Sequence, residues 1–433
     1  MTKDVEEFKA SLLSTGGVTN TQQSFDWLRT FQSDAKELTL QQRLPTTSDE
    51  EWRFTDLKSL YKTPLSFHSE HPRIDSSVVS SFRIPEATRN IVLVNGVYSH
   101  ALSLNPECDG LSVRNLADCY SHPEAMQVIK DNFGEINREE LNVFQAMNSA
   151  SFQDVIVVQV DSISDEEIIH LLNISTGKHT CNHPRVMVLA KQDTKVCLLE
   201  DHVGIGGYGY LSNSVTTLAL ERGAEVVHVK LQREEDTAYH IAQTNVELES
   251  DANYKNWSIG VGAAVSRHNI LVKQMQPSGH VQIRGLAIGN SNRVVDTHSC
   301  VEHMCPHGVS DQIHKTIAKD RSKVVFNGKI KVHKDAQRTN ASQQNRNLIL
   351  DPRASVDAKP ELEIFADDVK CAHGATVGQV SDEQLFYMRT RGIDESAARN
   401  LLNFAFAREV IEDLPAKSLG GVIESYIREQ TGS

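Results

Sequence analysis

The chain has 433 residues, 39% of them hydrophobic, which fits a globular protein of one large domain or two to three smaller ones. Forty-four Lys and Arg against fifty-seven Asp and Glu leave a formal charge of -13 and no long basic run, so nucleic acid is not an expected partner. No apolar run approaches the roughly 18 residues that cross a bilayer; with an acidic, polar start, MTKDVEEFKASLL, this points to a cytoplasmic protein without a membrane partner.

The first eighty or so residues read as helical, with Val5, Phe8 and Leu12 at helical spacing and Phe25, Leu28 and Phe31 repeating it. Pro45 and Pro64 bracket a second amphipathic segment, EEWRFTDLKSL, in which Trp52, Leu57 and Leu60 are expected to form one apolar face. From about Asn90 the texture changes. IVLVNGVY, VIVVQV, VMVLA, KVCLLE, VTTLAL, EVVHVKL, ILVKQM, KVVFNGKIKV, NLILD and ELEIF are short, β-branched and punctuated by turn residues, a long all-β region. Helical patterning within it is too sparse for an alternating strand-helix fold. A parallel solenoid would hide the sheet edges, and small residues precede strands in RGAEVVHVKL and PSGHVQIRGLAI as rung corners require. No strict repeat is present, so a β-sandwich stays open on these grounds.

After Val380 the helical pattern returns. Ser381 with Gln384 resembles a capping box, and Gly392 sits where a helix would stop. Asp394 caps a second helix in which Ala397, Leu401, Phe404, Ala405 and Ile411 form an apolar stripe ended by Pro415. That stripe suits either packing on the last rungs or docking of a partner.

Three motifs carry chemistry. In VGIGGYG, Gly204, Gly206 and Gly209 satisfy GxGxxG, but SNSVTTLAL follows where a dinucleotide fold needs a helix, so a turn between strands is expected. No GxxxxGK[ST] occurs, and ATP hydrolysis would have to come from a partner. THSCVEHMCPHGVSDQIH gathers His298, Cys300, His303, Cys305, His307 and His314, at spacings that match no common zinc finger; histidines in a polar loop or at an interface are the plainer reading. The seven cysteines are scattered without a CxxC, which argues for reduced thiols.

The third motif is FADDVKCAHGATVGQ, Phe365 to Gln379. In an extended strand residues two apart share a face, so Cys371 and His373 point together. A thiolate beside an imidazole suits iron, copper or a sulfur-bearing intermediate, and a cationic imidazole would lower the thiol pKa. Two ligands cannot close a metal site, so a second chain or an open, transient site is implied. The plain alternative is a buried Cys beside a hydrogen-bonded His.

The run ADDVKCAHGATVGQVSDEQLFYMRTRGI, Ala366 to Ile393, resembles the SufB/SufD family of the SUF iron-sulfur cluster assembly system. EEWRFTDLKSL, IVLVNGVYSHALS from Ile91, DTHSCVEHMCPHGVSDQIHK from Asp296, VVFNGKIKV from Val324 and LILDPRASVDAKPELEI from Leu348 are similar in order and spacing. SufB chains are longer and carry an E-H-E-A-T-like sequence where this one has Cys371 to Thr376, so the likeness is to the SufD branch. Cys300 and Cys305 fall outside the pattern and receive no role; Asp296 and His303 fit it as interfacial residues.

The resemblance implies a right-handed parallel β-helix core at 86–380, flanked by helical regions at 1–85 and 381–433. It implies a non-catalytic scaffold subunit of a SufB-SufC-SufD complex, with no nucleotide bound by this chain. A SufC-like ABC ATPase would dock on the C-terminal helices and a SufB-like paralogue on the last rungs, with a homodimer as the other arrangement. By motif position, Cys371 and His373 are the metal ligands, holding iron or a nascent cluster transiently and shared with SufB. Rival readings are a SufB-like homodimeric scaffold, a β-helix carbohydrate-active enzyme, and a metalloenzyme built around His298 to His307.

Overall fold

The structure, a computed structural model, describes residues 2–13, 26–66, 73–133, 141–162 and 167–431. From Ile156 onward the chain alternates between two sheets of parallel strands, contributing one strand to each per rung, and winds a β-solenoid of about eight turns. The first sheet runs Arg89–Val94, Ile168–Thr176, Lys195–Ile205, Glu225–Gln232, Asn253–Gly260, His280–Gly289, Val309–Ala318, Asn340–Ile349 and Lys370–Gly378. The second runs Leu111–Arg114, Ile156–Val160, Arg185–Ala190, Leu211–Leu220, Tyr239–Leu248, Val265–Gln274, Val294–His303, Lys323–Val332 and Ser355–Ile364.

The rungs are unequal, which is why no repeat shows in the sequence. Register partners lie 26 residues apart from Tyr239 to Val265 but 32 apart from Lys323 to Ser355. What repeats instead is a backbone conformation. Asp193, Gly223, Asp251, Ser278, His307 and Arg338 each sit two residues before a first-sheet strand with positive φ, and each N–H donates to a carbonyl of the next rung's turn. Only Gly enters that region without strain, yet Asp and Ser serve here because the stacked turns hold it.

Alternation sends one set of side chains into the lumen and the other outward. Ile91, Leu171, Leu198, Val226, Tyr254 and Ile283 meet Ile156, Val188, Leu218, Val246 and Val301 in the apolar part of the lumen. Outside the second sheet, Ile241, Val265 and Leu211 are covered by Phe8, Leu12, Trp52, Leu57, Leu60 and Phe144. Outside the first, Leu199, Val229, Trp257, Leu286 and Ile317 are covered by Val410, Ile411, Leu419, Ile423 and Ile427 of the C-terminal helices. Each such side chain contributes about 1.5–3 kcal/mol of burial, so both helical layers are fixed to the solenoid.

At the N-terminus, helices Thr2–Leu13 and Asp26–Gln41 carry the expected periodicity, with Phe8, Leu12, Leu28 and Phe31 buried. Phe25 and the side chain of Val5 lie outside the described residues. Trp52, Leu57 and Leu60 do bury together, but from a 3-10 turn, Glu50–Trp52, and a short helix, Lys58–Lys62, instead of one amphipathic helix. Three helices also interrupt the expected all-β stretch: Leu116–Tyr120, Pro123–Phe133 and Val143–Ser151.

The C-terminal helices begin and end where their caps predict. Ser381 Oγ accepts from Gln384 N, Gly392 takes a positive φ, and Asp394 accepts from Ala397 N at 3.0 Å. The buried face of Glu395–Ile411 differs from the expected stripe: Ala398, Asn403, Ala407, Val410 and Ile411 pack inward, while Leu401 is 50% exposed. Among the described residues no helix is long and apolar enough to cross a membrane.

Candidate functional site

Strand Lys370–Gly378 ends the first sheet and Ser355–Ile364 ends the second, each paired on one side only. The solenoid therefore stops with two open edges whose backbone groups have no next rung. Cys371 lies opposite Ala341 and His373 opposite Gln343 in the ladder. Ala341, Gln343, Asn345 and Asn347 are the buried, lumen-facing members of their strand, so Cys371 and His373 both face the lumen at its uncovered end. The expected common face is present.

The two residues differ in cover. Cys371 is half-buried, packed with Ala341, Val369 and Ala366, and burial pushes its thiol above the ordinary range. This corrects the expectation that the imidazole lowers it: desolvation outweighs any such effect, and the thiol keeps its proton until something displaces it. His373 is exposed and lines an open depression of about 280 Å3 with Gln343, Asn345, Arg346 and Thr376. Beneath it, Gln343 donates to Gly328 O at 3.1 Å while its Oε1 has no hydrogen-bond partner. A soft sulfur, a borderline nitrogen and an unused amide oxygen fit a thiophilic cation such as iron.

The histidine-rich motif is no loop. It forms strand Val294–His303, a turn, and strand Val309–Ala318. Alternation scatters its members. His298 faces outward, with Nε2 3.0 Å from Asp296 and Nδ1 3.3 Å from Glu51. Cys300 also faces out, its thiol pushed by burial to about 12. His303 sits in the lumen between Gln274 Oε1 at 2.6 Å and Ser310 Oγ at 2.9 Å, and burial lowers it to about 4. His314 lies over the Phe326 ring at 4.2 Å, lowered to about 3. Cys305 Sγ donates to Met275 O and His307 serves a turn. Among the described residues no three His, Cys, Asp or Glu are placed to share a metal. Asp296 is a buried anchor, accepting from Arg267 at 3.0 Å and Thr55 at 2.6 Å.

The GxGxxG run is the expected turn: Gly206 and Gly207 have positive φ between strands Lys195–Ile205 and Leu211–Leu220. What sequence reasoning missed lies in the lumen. Glu200 and Lys230 are register partners, with His202, His228, Glu234 and His240 beside them, all buried. Lys230 Nζ donates to Glu200 Oε1 and lies against His202 Nε2; Glu200 Oε2 accepts from His228 Nε2 and Thr216 Oγ1, both at 3.0 Å. The signal was polar residues two apart in runs read only as strands, Glu200 with His202 and His228 with Lys230.

Fold and site define a class: a parallel β-solenoid with helical flanks whose terminal rung is uncovered and bears a thiol-imidazole pair. Residues 173–406 match the family described as SUF system FeS cluster assembly, SufBD core domain, and residues 11–169 match the SufBD protein N-terminal region. The chain is 32% identical over 402 residues to an iron-sulfur cluster assembly SufBD family protein of Synechocystis, covering 90% of this chain and 88% of that one. It is 31% identical over 382 residues to the iron-sulfur cluster assembly protein SufD of Escherichia coli, covering 87% and 86%. The chain belongs to the SufB/SufD family, and its role lies in SUF iron-sulfur cluster assembly.

Proposed function

We propose that this chain is a non-catalytic scaffold subunit which lends Cys371 and His373 to iron or a nascent cluster held jointly with a SufB-like paralogue. The observation that carries this is the placing of both side chains toward the lumen on a strand with an unpaired edge. A thiolate and an imidazole are half of a tetrahedral donor set, and a partner strand added to the open edge would supply the other half. Ile364, Phe365 and Val377 form an exposed apolar rim around that end, as an interface core would. Because the Cys371 thiol is held protonated, loading releases a proton and strengthens as pH rises.

A SufC-like ABC ATPase would dock on the C-terminal helices, where Phe386, Tyr387 and Leu401 stand exposed on a layer anchored to the solenoid. The three regions then divide the work: 1–85 covers the second sheet, 86–380 carries the site, and 381–433 couples it to the motor. The same open edges would also accept a second copy of this chain. Recovery of a longer relative and an ATPase with tagged chain from its own host separates the two arrangements.

The test is His373→Ala in the purified three-component complex. His373 is exposed and makes no hydrogen bond among the described residues, so the chain's urea midpoint and complex assembly should be unchanged while bound iron falls by at least about half. Iron content equal to wild type would remove His373 from the proposal.

A further inference from the structure

Between the outer face of the second sheet and helices Asp26–Gln41, Pro123–Phe133 and Val143–Ser151 lies a cavity of about 260 Å3, remote from the open end. Arg185 enters it from the first residue of its strand. The guanidinium carbon is 4.3 Å from the centre of the Phe133 ring, 5.5 Å from Phe152 and 5.9 Å from Phe31. Nη1 spends both of its hydrogens, on Asn148 Oδ1 and Ser149 Oγ at 3.0 Å each. Among the described residues Nε and Nη2 make no hydrogen bond, and neither atom is fully buried.

This leaves a part-buried cation with no counterion among the described residues. Arg233, Arg267 and Arg293 each face an aspartate, Asp201, Asp296 and Asp236. Among the described residues no carboxylate pairs with Arg185, and burial lowers it to about 10, which still leaves it charged at neutral pH. The rim carries one acid and one base, the register partners Glu247 and Lys273. A desolvated, unpaired charge is costly unless something completes it.

We propose that this cavity binds a small carboxylate with a flat apolar body, held side-on by Arg185. The free Nε–H and Nη2–H form one parallel pair, the spacing of a carboxylate's two oxygens. Phe31, Phe133 and Leu271 offer the apolar walls, and Thr217, Gln145 and Asn245 the remaining polar contacts. The volume suits a single-ring molecule and excludes a nucleotide, since drug-sized sites begin at about 300 Å3.

The test is calorimetric titration of the full chain with sodium benzoate, with benzamide supplying the body without the charge and inorganic phosphate the charge without the body. Benzoate should saturate in the millimolar range, and benzamide and phosphate should bind at least about tenfold more weakly. Arg185→Lys keeps the charge but loses the fork and should weaken benzoate about tenfold. Asn245→Phe fills the cavity from the sheet side without touching the guanidinium's bonds and should abolish binding, which keeps the test decisive if Arg185→Lys fails to fold. Absence of saturable benzoate binding to wild type, equal binding of benzamide, or full affinity in Asn245→Phe would each overturn the proposal.

Discussion

Replacing Lys230 by methionine isolates the largest electrostatic commitment in the lumen. Lys230 is 2% exposed and Glu200 1%, and the ammonium lies between Glu200 Oε1 and His202 Nε2. Burial would raise the Glu200 pKa, but the charge of Lys230 and the bonds from His202 and His228 outweigh it and hold the carboxyl well below its ordinary value. His202 is lowered to about 4, first by burial and then by Lys230, so it is neutral at pH 7, and its Nε2 lies 2.7 Å from both the ammonium and Glu200 Oε1. Methionine fills similar volume but leaves the buried Glu200 carboxylate without its cation. Removing one member of a buried pair costs about 3–5 kcal/mol; because His228 and Thr216 still bind Glu200, the lower end applies, about 3 kcal/mol. Urea unfolding at pH 7 should show it as a lower midpoint at unchanged slope. Without its cation Glu200 acquires a raised folded pKa, so the deficit should shrink as pH falls from about 8 to 5. Adding Glu200→Gln to Lys230→Met should recover about half of the loss. A deficit under about 1 kcal/mol, or a double variant no better than the single, would refute this account of the lumen.

Four buried histidines, His183, His202, His303 and His314, are lowered by burial to between about 3 and about 4. A depressed folded pKa leaves stability intact above about 6.5 and removes it on the way down toward 4, at about 1.4 kcal/mol per pH unit for each histidine. The urea midpoint should therefore fall steeply from pH 7 to 5, and His314→Gln should flatten the slope by one proton; a pH-independent midpoint would contradict the burial assigned here. Phe386→Asp with Leu401→Asp should abolish recovery of the ATPase while leaving the chain's own midpoint within about 0.5 kcal/mol, since both side chains are exposed. Asp394→Ala removes the cap on the Ala397 N–H and should cost about 1 kcal/mol by the same urea measurement, with Asp394→Ser restoring most of it.

The solenoid was legible where β-branched residues recur along a strand. EVVHVKL and KVVFNGKIKV announce themselves by β-branched runs, and Glu225–Gln232 and Lys323–Val332 are where those runs place them. Asn340–Ile349, NASQQNRNLI, shows no such run because its inward members are Ala341, Gln343, Asn345 and Asn347; polarity on both faces erases the alternation that marks a strand. The same effect hid Val294–His303 inside a supposed polar loop. The pairing of Cys371 with His373 followed from the two-residue period alone, but the direction of the thiol's shift did not, since it depends on Ala341, Val369 and Ala366 closing over the sulfur. The C-terminal stripe was misassigned for a related reason. Leu401 and Ala398 are both apolar and three apart, and only the solenoid surface beneath the helix, which it meets through Ala407, Val410 and Ile411 and through the Trp257 Nε1 bond to Val410 O at 2.8 Å, decides which one turns inward.

One lumen row joins these observations. His228, Asn256, Ile283, Gln312, Gln343 and His373 are successive register partners along the first sheet. While rungs continue on both sides, the row's polar members are bonded: His228 to Glu200 and Tyr254, Asn256 to the His228 carbonyl, Gln312 to Ser299. Single atoms are left over along the row, Asn256 Oδ1, Gln312 Nε2 and Gln343 Oε1, but only at the last rung does a member, His373, have no hydrogen-bond partner at all among the described residues. Burying a polar side chain with no partner at all costs roughly 1–3 kcal/mol, which is why each polar member in the interior makes at least one bond and why a member with none stands where solvent still reaches. A further strand laid on the open edge would shut that solvent out, and the half-met groups would then require a ligand. Closing the solenoid with another chain and filling the space between Cys371 and His373 with a cation are thus physically coupled: each removes the penalty the other would leave.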